Sequence, residues 1–186
     1  DCGRDDLPQF FVDMGYKVGA EIGVCQGAFT EKLCVPELKI FGIDPWMGFY
    51  GQGRQQRLQE VQDGYYNDAN NLLGKYTNCT LIRKTSMDAL ADFEDGSLDF
   101  VYIDGDHSFK YIAEDLVEWS KKVRSGGCVS GHDYLMTPPG TRNMVCHVQA
   151  VVDAYIKTFG IESFYIVNER RHFYNQKLHS WLWIKP

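Results

Sequence analysis

The sequence predicts an α/β protein: a mostly parallel sheet covered by helices on both faces, forming one domain over residues 1–186. Three observations predict it. Short apolar or β-branched runs bounded by Gly, Asp, Asn or Ser recur along the chain, as buried strands do. Between them, apolar residues return at steps of three and four, the period of a core-facing helix. Strands that alternate with helices require crossovers, and right-handed crossovers place helices on both faces of a parallel sheet.

Asp5 and Asp6 ahead of Pro8 predict a helix within residues 1–15, because an acid caps free N–H groups and proline is tolerated in the first turn; Gly15 ends it. Strands are expected at 18–24, 39–44, 79–84, 98–104 and 127–131. Helical stripes separate them: Leu58, Val61, Tyr65, Ala69, Leu72 and Tyr76; then Ile112, Leu116, Trp119 and Val123; then Val145, Val148, Val152, Tyr155 and Phe159. Two last strands, 163–169 and 180–185, have only a turn around Asn175 between them and pair antiparallel at one edge. The glycines and aromatics from Trp46 to Gly53 break the compact spacing and suit either a lid over a ligand, within a segment 46–66, or a plain surface loop.

A net charge of −6 and a pI near 5.3 argue against a nucleic-acid or anionic-membrane partner, which needs a basic face. No apolar stretch reaches the roughly 20 residues that span a bilayer, and no secretion-signal pattern opens the sequence, so the expected location is the cytoplasm. Of six cysteines, Cys25, Cys34, Cys79, Cys128 and Cys146 fall in or beside expected core elements without C-x-x-C spacing and read as buried thiols. The glycosylation match at Asn78-Cys79-Thr80 reads as chance.

The most telling segment is Val18-Gly-Ala-Glu-Ile-Gly-Val-Cys-Gln-Gly-Ala-Phe29, a strand that delivers Glu21 and two glycines, Gly23 and Gly27, into a tight turn before a helix. The spacing differs from the close G-x-G-x-x-G of dinucleotide sites, and Glu21 would repel a phosphate there. The stretch resembles the first motif, E/D-x-G-x-x-x-G, of the class I S-adenosylmethionine-dependent methyltransferases. That resemblance implies a Rossmann-like seven-stranded sheet of order 3-2-1-4-5-7-6 over residues 16–186, S-adenosylmethionine as cofactor, and Glu21, Gly23 and Gly27 as cofactor-binding residues.

Ligands of open α/β sheets bind beyond the carboxyl ends of the strands. Asp44 ends the second strand, where a carboxylate can accept hydrogen bonds from both ribose hydroxyls of a nucleoside. Thr85, Ser86 and Met87 follow the third strand, where the resemblance places adenine contacts; capping of the next helix by Thr85 or Ser86 is an equal alternative. Trp46 is a candidate to stack on the base or to fill the lid.

The fourth strand ends in Asp104-Gly105-Asp106-His107-Ser108 and the fifth in Ser130-Gly131-His132-Asp133-Tyr134. Neighbouring parallel strands bring these clusters face to face, a candidate cation or proton-transfer site. Their spacing is similar to that of metal-dependent O-methyltransferases of the catechol and macrolide-sugar kinds. The similarity implies Asp104, His132 and Asp133 as metal ligands, with Asp104 shared with the cofactor, and His107 as general base. His132 departs from the acid usual there, which shifts metal preference from Mg²⁺ toward Mn²⁺, Fe²⁺ or Zn²⁺. The D-G-D-H-S and G-H-D-Y pair also resembles a broad bacterial-type methyltransferase family in which metal is not a general requirement. A metal site, a metal-free acid-base site built on Asp104 and His107, and structural capping all remain open at this point.

The expected activity is S-adenosylmethionine-dependent O-methylation of a small hydroxylated acceptor, such as a sugar, phenol or secondary metabolite. A hydroxyl needs a base or metal, and His107 can accept its proton near neutral pH if its pKa is ordinary. Alternatives are a nicotinamide-dependent oxidoreductase, a non-catalytic nucleoside-binding protein and a metal-dependent hydrolase. Acceptor selection is expected from the N-terminal helix, residues 46–66 and the loop 134–144, and Trp181 with Trp183 as a homodimer contact.

Overall fold

The computed structural model describes residues 3–50, 58–137, 145–173 and 176–186, with side chains described throughout these except over 168–178. A 3-10 turn at Arg4–Asp6 leads into α1 (Leu7–Asp13), followed by β1 (Val18–Ile22), α2 (Ala28–Leu33), β2 (Lys39–Ile43) and α3 (Gln59–Leu73). Then come β3 (Cys79–Ile82), α4 (Ser86–Ala89), β4 (Leu98–Ile103), α5 (Phe109–Lys122) and β5 (Val123–Gly131). The chain closes with α6 (Val148–Phe159), β6 (Phe164–Phe173) and β7 (Gln176–Ile184). The sheet order is β3-β2-β1-β4-β5-β7-β6, as expected. The first five of these strands run parallel, and β7 is antiparallel to both neighbours. Asn175, expected at the centre of the hairpin turn, lies outside the described residues.

Central strands buried on both faces must be apolar on both, and β4 shows how. Val101 and Ile103 point to one face, packing with Ile112, Leu116 and Trp119 of α5 and with Trp181 and Trp183 of β7. Phe100 and Tyr102 point to the other, with Phe11 of α1 and Phe29 and Leu33 of α2. Phe11 and Phe100 stack at 3.9 Å between ring centroids, which ties α1 to the middle of the sheet. A third cluster (Val24, Cys34, Trp46, Ala69, Leu73), with Cys79 and Leu81 of β3 packed against it, seats the C-terminal half of α3 against α2 and the β3 edge.

Several expectations are corrected. Asp6 stands at the N-cap of α1 without capping it; its carboxylate accepts a 2.7 Å hydrogen bond from the Gly3 N–H instead. The α3 stripe fails at its start, since Leu58 is 58 % and Val61 38 % exposed, because this end of the helix lies over the pocket mouth rather than the core. Phe159, expected in the α6 stripe, is 65 % exposed. β5 begins at Val123, not 127, because α5 runs straight into it through an irregular register with β4. Trp181 and Trp183 are 0 % and 1 % exposed, packed between sheet and α6, so they offer no dimer contact. Cys25 is exposed rather than buried. The Asn78 side-chain amide donates to the Val35 and Leu38 carbonyls, so the glycosylation match is occupied structurally. Among the described residues, no helix is long and apolar enough to cross a membrane.

Trp181 also donates from Nε1 to the His132 carbonyl at 3.0 Å, anchoring the end of β5. Trp181→Ala is therefore expected to cost about 3–5 kcal/mol of unfolding free energy, measured by urea denaturation; a loss under about 1 kcal/mol would contradict this packing.

Candidate active site at the carboxyl ends of β1, β2, β4 and β5

The turn after β1 is shaped by what lies behind it. Gly23 has φ +95°, and a Cβ there would come within 2.2 Å of the Asp104 carbonyl oxygen, so only glycine lets β1 and β4 approach this closely. Gly27, at φ +87°, opens α2. Between them Cys25 holds φ +54°, a costly conformation for a side chain with a Cβ. A cavity of about 420 Å³ lies above this turn, walled by the ends of β1, β2 and β4.

Glu21 forms its floor. The carboxyl is 1 % exposed and accepts from Thr30 Oγ1 at 2.5 Å. Burial pushes its pKa up to about 8, against the opposing effect of Thr30 and Arg4. Asp44 also lines the cavity; its oxygens accept from the Cys25 and Trp46 backbone N–H groups, each at 2.9 Å. Burial raises its pKa against those bonds. Each oxygen keeps a lone pair for a further donor.

Ser86 and Met87 line the same cavity, while Thr85 caps α4 by accepting from the Asp88 N–H at 3.1 Å. The capping alternative is thus met at Thr85, while Ser86 and Met87 stay open to the cavity. Ser86 accepts from Trp119 Nε1 at 2.7 Å and donates to Asp115, whose pKa burial pushes up to about 7. Trp46 is neither lid nor exposed platform: it is fully buried, with Nε1 donating to the Cys25 carbonyl at 2.8 Å. Met47, Tyr50, Gln62 and Tyr65 supply the cavity wall from the 46–66 segment, of which 51–57 lie outside the described residues.

The clusters after β4 and β5 do meet. His107 Nε2 lies 3.5 Å from Asp104 Oδ1 and 3.2 Å from Asp133 Oδ2. His132 Nδ1 lies 3.8 Å and 3.4 Å from the same two oxygens. Asp104 and His107 face the cavity, whereas His132 and Asp133 stand behind them. Ligand atoms of Asp104, His107 and Asp133 fall within 4.8 Å of one another, close enough for one cation. Asp133 holds φ +51°, a strained backbone of the kind that collects at functional sites.

Charge sets the proton inventory. Burial raises the Asp104 carboxyl, but Arg4, His132 and His107 outweigh it and hold the pKa down at about 2. Burial disfavours the His107 imidazolium, yet Asp104 and Asp133 overcome it and push His107 up to about 9. The same two carboxylates raise His132. The ordinary histidine pKa expected for His107 is therefore not met, because the sheet brings two acids to it rather than one.

Two contributors escaped the sequence reading. Arg4 donates from Nη2 to Asp104 Oδ2 at 2.7 Å across a sequence separation of 100, and no local pattern signals that. His147 donates its backbone N–H to the His107 carbonyl at 2.8 Å and accepts the Phe109 N–H at Nδ1, fixing the start of α5.

Residues 20–134 match the family model described as a methyltransferase domain. The chain belongs to this methyltransferase family. An uncharacterized protein (y4gI) of Sinorhizobium fredii is 27 % identical over 124 residues, 63 % of this chain but only 12 % of that protein's length. Among solved structures, an O-methyltransferase from Bacillus cereus in complex with SAH has a TM-score of 0.65 at 14 % identity, covering 98 % of this chain and 80 % of that one. The O-methyltransferase TomG from Streptomyces achromogenes, in complex with SAM, has a TM-score of 0.67 at 14 % identity, covering 98 % and 79 %. The N-methyltransferase NodS from Bradyrhizobium japonicum has 0.62 at 13 %, covering 97 % and 95 %. At these identities the likeness is one of fold, shared by enzymes that methylate different atoms.

His107 is expected to titrate near pH 9 in the methyltransferase freed of metal by chelator, followed by NMR of its ring protons. Asp133→Asn should lower that pKa by a unit or more; an unshifted His107 would contradict the pairing. Because the folded pKa is raised, the stabilisation from this pair is full below the unfolded value of about 6.5. It is lost as pH rises through about 9.

Proposed function

We propose that this chain is an S-adenosylmethionine-dependent methyltransferase that methylates a hydroxyl oxygen of a small molecule, with the sugar, phenol and secondary-metabolite classes as candidate acceptors. The observation that carries the choice of oxygen is the convergence of His107, Asp104 and Asp133 at the edge of the cofactor cavity. An acceptor with a pKa far above 7 needs a proton acceptor placed there. A molecule with an adenosine and an amino-acid end suits the cavity's donor set: Asp44 for the ribose hydroxyls, Ser86 and Met87 for the base, and Glu21 with Asp104 for the ammonium.

When bound, the cofactor supplies an electrophilic methyl group, whose C–S bond breaks as the new O–C bond forms and the sulfur leaves with the electron pair as a thioether. The chain supplies the rest. The His107 imidazole takes the hydroxyl proton, and Asp104 and Asp133, beside its Nε2, stabilise the imidazolium that results. A base with a pKa of about 9 is strong but scarce at neutral pH, so turnover should climb with pH toward that value. Tyr50 and Tyr111, whose ring centroids lie 5.4 Å apart, both line the cavity.

A second reading is favoured by the donor atoms lying within 4.8 Å of one another. In it Asp104, Asp133 and His107 would hold a divalent cation, which would lower the pKa of the acceptor hydroxyl, while His132, expected as a ligand, stands outside this set. Imidazole among the donors favours Mn²⁺, Fe²⁺ or Zn²⁺ over Mg²⁺.

Calorimetry with S-adenosylhomocysteine is expected to show binding that Asp44→Ala weakens about 10- to 100-fold, while NAD shows none. Absence of S-adenosylhomocysteine binding would overturn the cofactor assignment. With an acceptor found by screening hydroxylated compounds, His107→Ala should lower kcat by about 10² or more with cofactor affinity nearly unchanged. Activity that survives EDTA selects the metal-free reading; activity lost to EDTA and restored by one divalent ion selects the other.

A further inference from the structure

Two cysteines meet outside the candidate active site. Cys34 is the C-cap of α2 and Cys79 opens β3, the edge strand of the sheet. Cys34 belongs to the cluster that seats α3, Cys79 packs against that cluster, and the two side chains hydrogen-bond to each other. The backbone beside both is fixed. The Asn78 amide donates to the Val35 carbonyl at 2.8 Å and the Leu38 carbonyl at 2.7 Å, and the Ile40 N–H donates to the Asn78 carbonyl at 2.8 Å. The residue after Cys34 is thus tied to the residue before Cys79, and cysteines can be bridged only where the backbone brings their side chains together in this way.

The two thiols are not equivalent. Cys34 is 7 % exposed and donates from Sγ to the Thr30 carbonyl at 3.1 Å, whereas Cys79 is half-buried on the edge strand. The hydrogen bond between them lowers the Cys79 pKa against the opposing effect of burial; the same contact, and burial after it, raise that of Cys34. Access and thiolate character therefore both fall on Cys79, and these select the attacking sulfur in thiol–disulfide exchange.

We propose that Cys34 and Cys79 are a reversible oxidation site, a dithiol that a small-molecule disulfide converts to an intramolecular disulfide. Cys79 loses its proton to solvent and attacks one sulfur of the oxidant, whose S–S bond breaks as the mixed disulfide forms and the first small thiolate leaves. Cys34 then loses its proton and attacks Cys79 Sγ, expelling the second small thiolate. The cysteines give up two electrons and two protons, and the oxidant is reduced to two thiols. The new bond closes residues 34–79, the span that carries Asp44 and part of the cavity wall. This chemistry does not depend on which ligand the cavity takes.

The test exposes the folded chain to glutathione disulfide in mildly alkaline buffer, quenches with acid, blocks remaining thiols with N-ethylmaleimide in denaturant and maps the digest by mass spectrometry. A peptide pair joining Cys34 to Cys79 should form, disappear with dithiothreitol, and appear at least about tenfold faster in the native chain than in urea, because folding already holds the sulfurs together. Cys34→Ser should stop at the mixed disulfide, with glutathione retained on Cys79, while Cys79→Ser should leave Cys34 largely unmodified. The oxidised wild type should melt about 5 °C or more above the reduced form, a shift that Cys34→Ser lacks. No linked pair once the exposed Cys25 has taken up glutathione would overturn the proposal, as would a link that forms only in urea. Glutathione on Cys34 in Cys79→Ser, with Cys79 unmodified in Cys34→Ser, would overturn the order of attack. A melting temperature that fails to rise would overturn the proposal too, since the native sulfurs would then not be placed for the bond.

Discussion

The close approach of β1 and β4 is the constraint on which the site depends. Ile22 and Ile103 are paired across the two central strands, and the Asp104 N–H donates to the Ile22 carbonyl at 2.7 Å just past that pair. With Gly23 left-handed and no Cβ to hold the chains apart, the turn that floors the cavity rests directly on the backbone of Asp104. The glycine turn after β1 and the acid-histidine end of β4 are therefore one rigid contact rather than two separate elements that must be brought together. Any larger residue at 23 would meet backbone, which cannot give way as a flexible side chain would.

Asp104 converts that contact into electrostatics. Its Oδ2 pairs with Arg4 and its Oδ1 faces His107 and His132, so one carboxylate serves both halves of the site. Glu21, 4.0 Å from Arg4 and fully desolvated, keeps a pKa near 8 and adds little negative charge at neutral pH until a cation arrives. Asp104, with Arg4 and two histidines against it, stays ionised. Two acids beside one glycine turn are thus driven to opposite protonation states by their surroundings.

The alternation of β-branched runs with 3.6-residue stripes made the sheet legible from sequence, because burial on both faces of β1, β2 and β4 forces apolar residues at every position and leaves polar ones only at the ends. Glu21, Asp44, Asp104 and Asp133 could be collected for that reason. What was not legible depends on partners distant in the chain. Nothing near Arg4 reveals that α1, stacked through Phe11 on Phe100, swings it over β4. Trp46 looked like a ligand platform because its neighbours are glycine and aromatic, but the carbonyl of Cys25 satisfies its indole N–H and allows full burial. The basicity of His107 was missed for another reason: the facing of the β4 and β5 ends was legible, but the resemblance implies Asp133 as a metal ligand rather than as a second acid against the imidazole.

The proposed sharing of Asp104 between cofactor binding and proton transfer is most directly tested by calorimetric titration of S-adenosylhomocysteine into Asp104→Asn and Asp133→Asn, each checked for folding by circular dichroism. If Asp104 serves both halves, Asp104→Asn loses about tenfold or more in affinity, whereas Asp133→Asn, behind the cavity wall, binds like the wild type. Equal affinity in wild type and Asp104→Asn would contradict the shared role and leave the two halves of the site electrostatically independent.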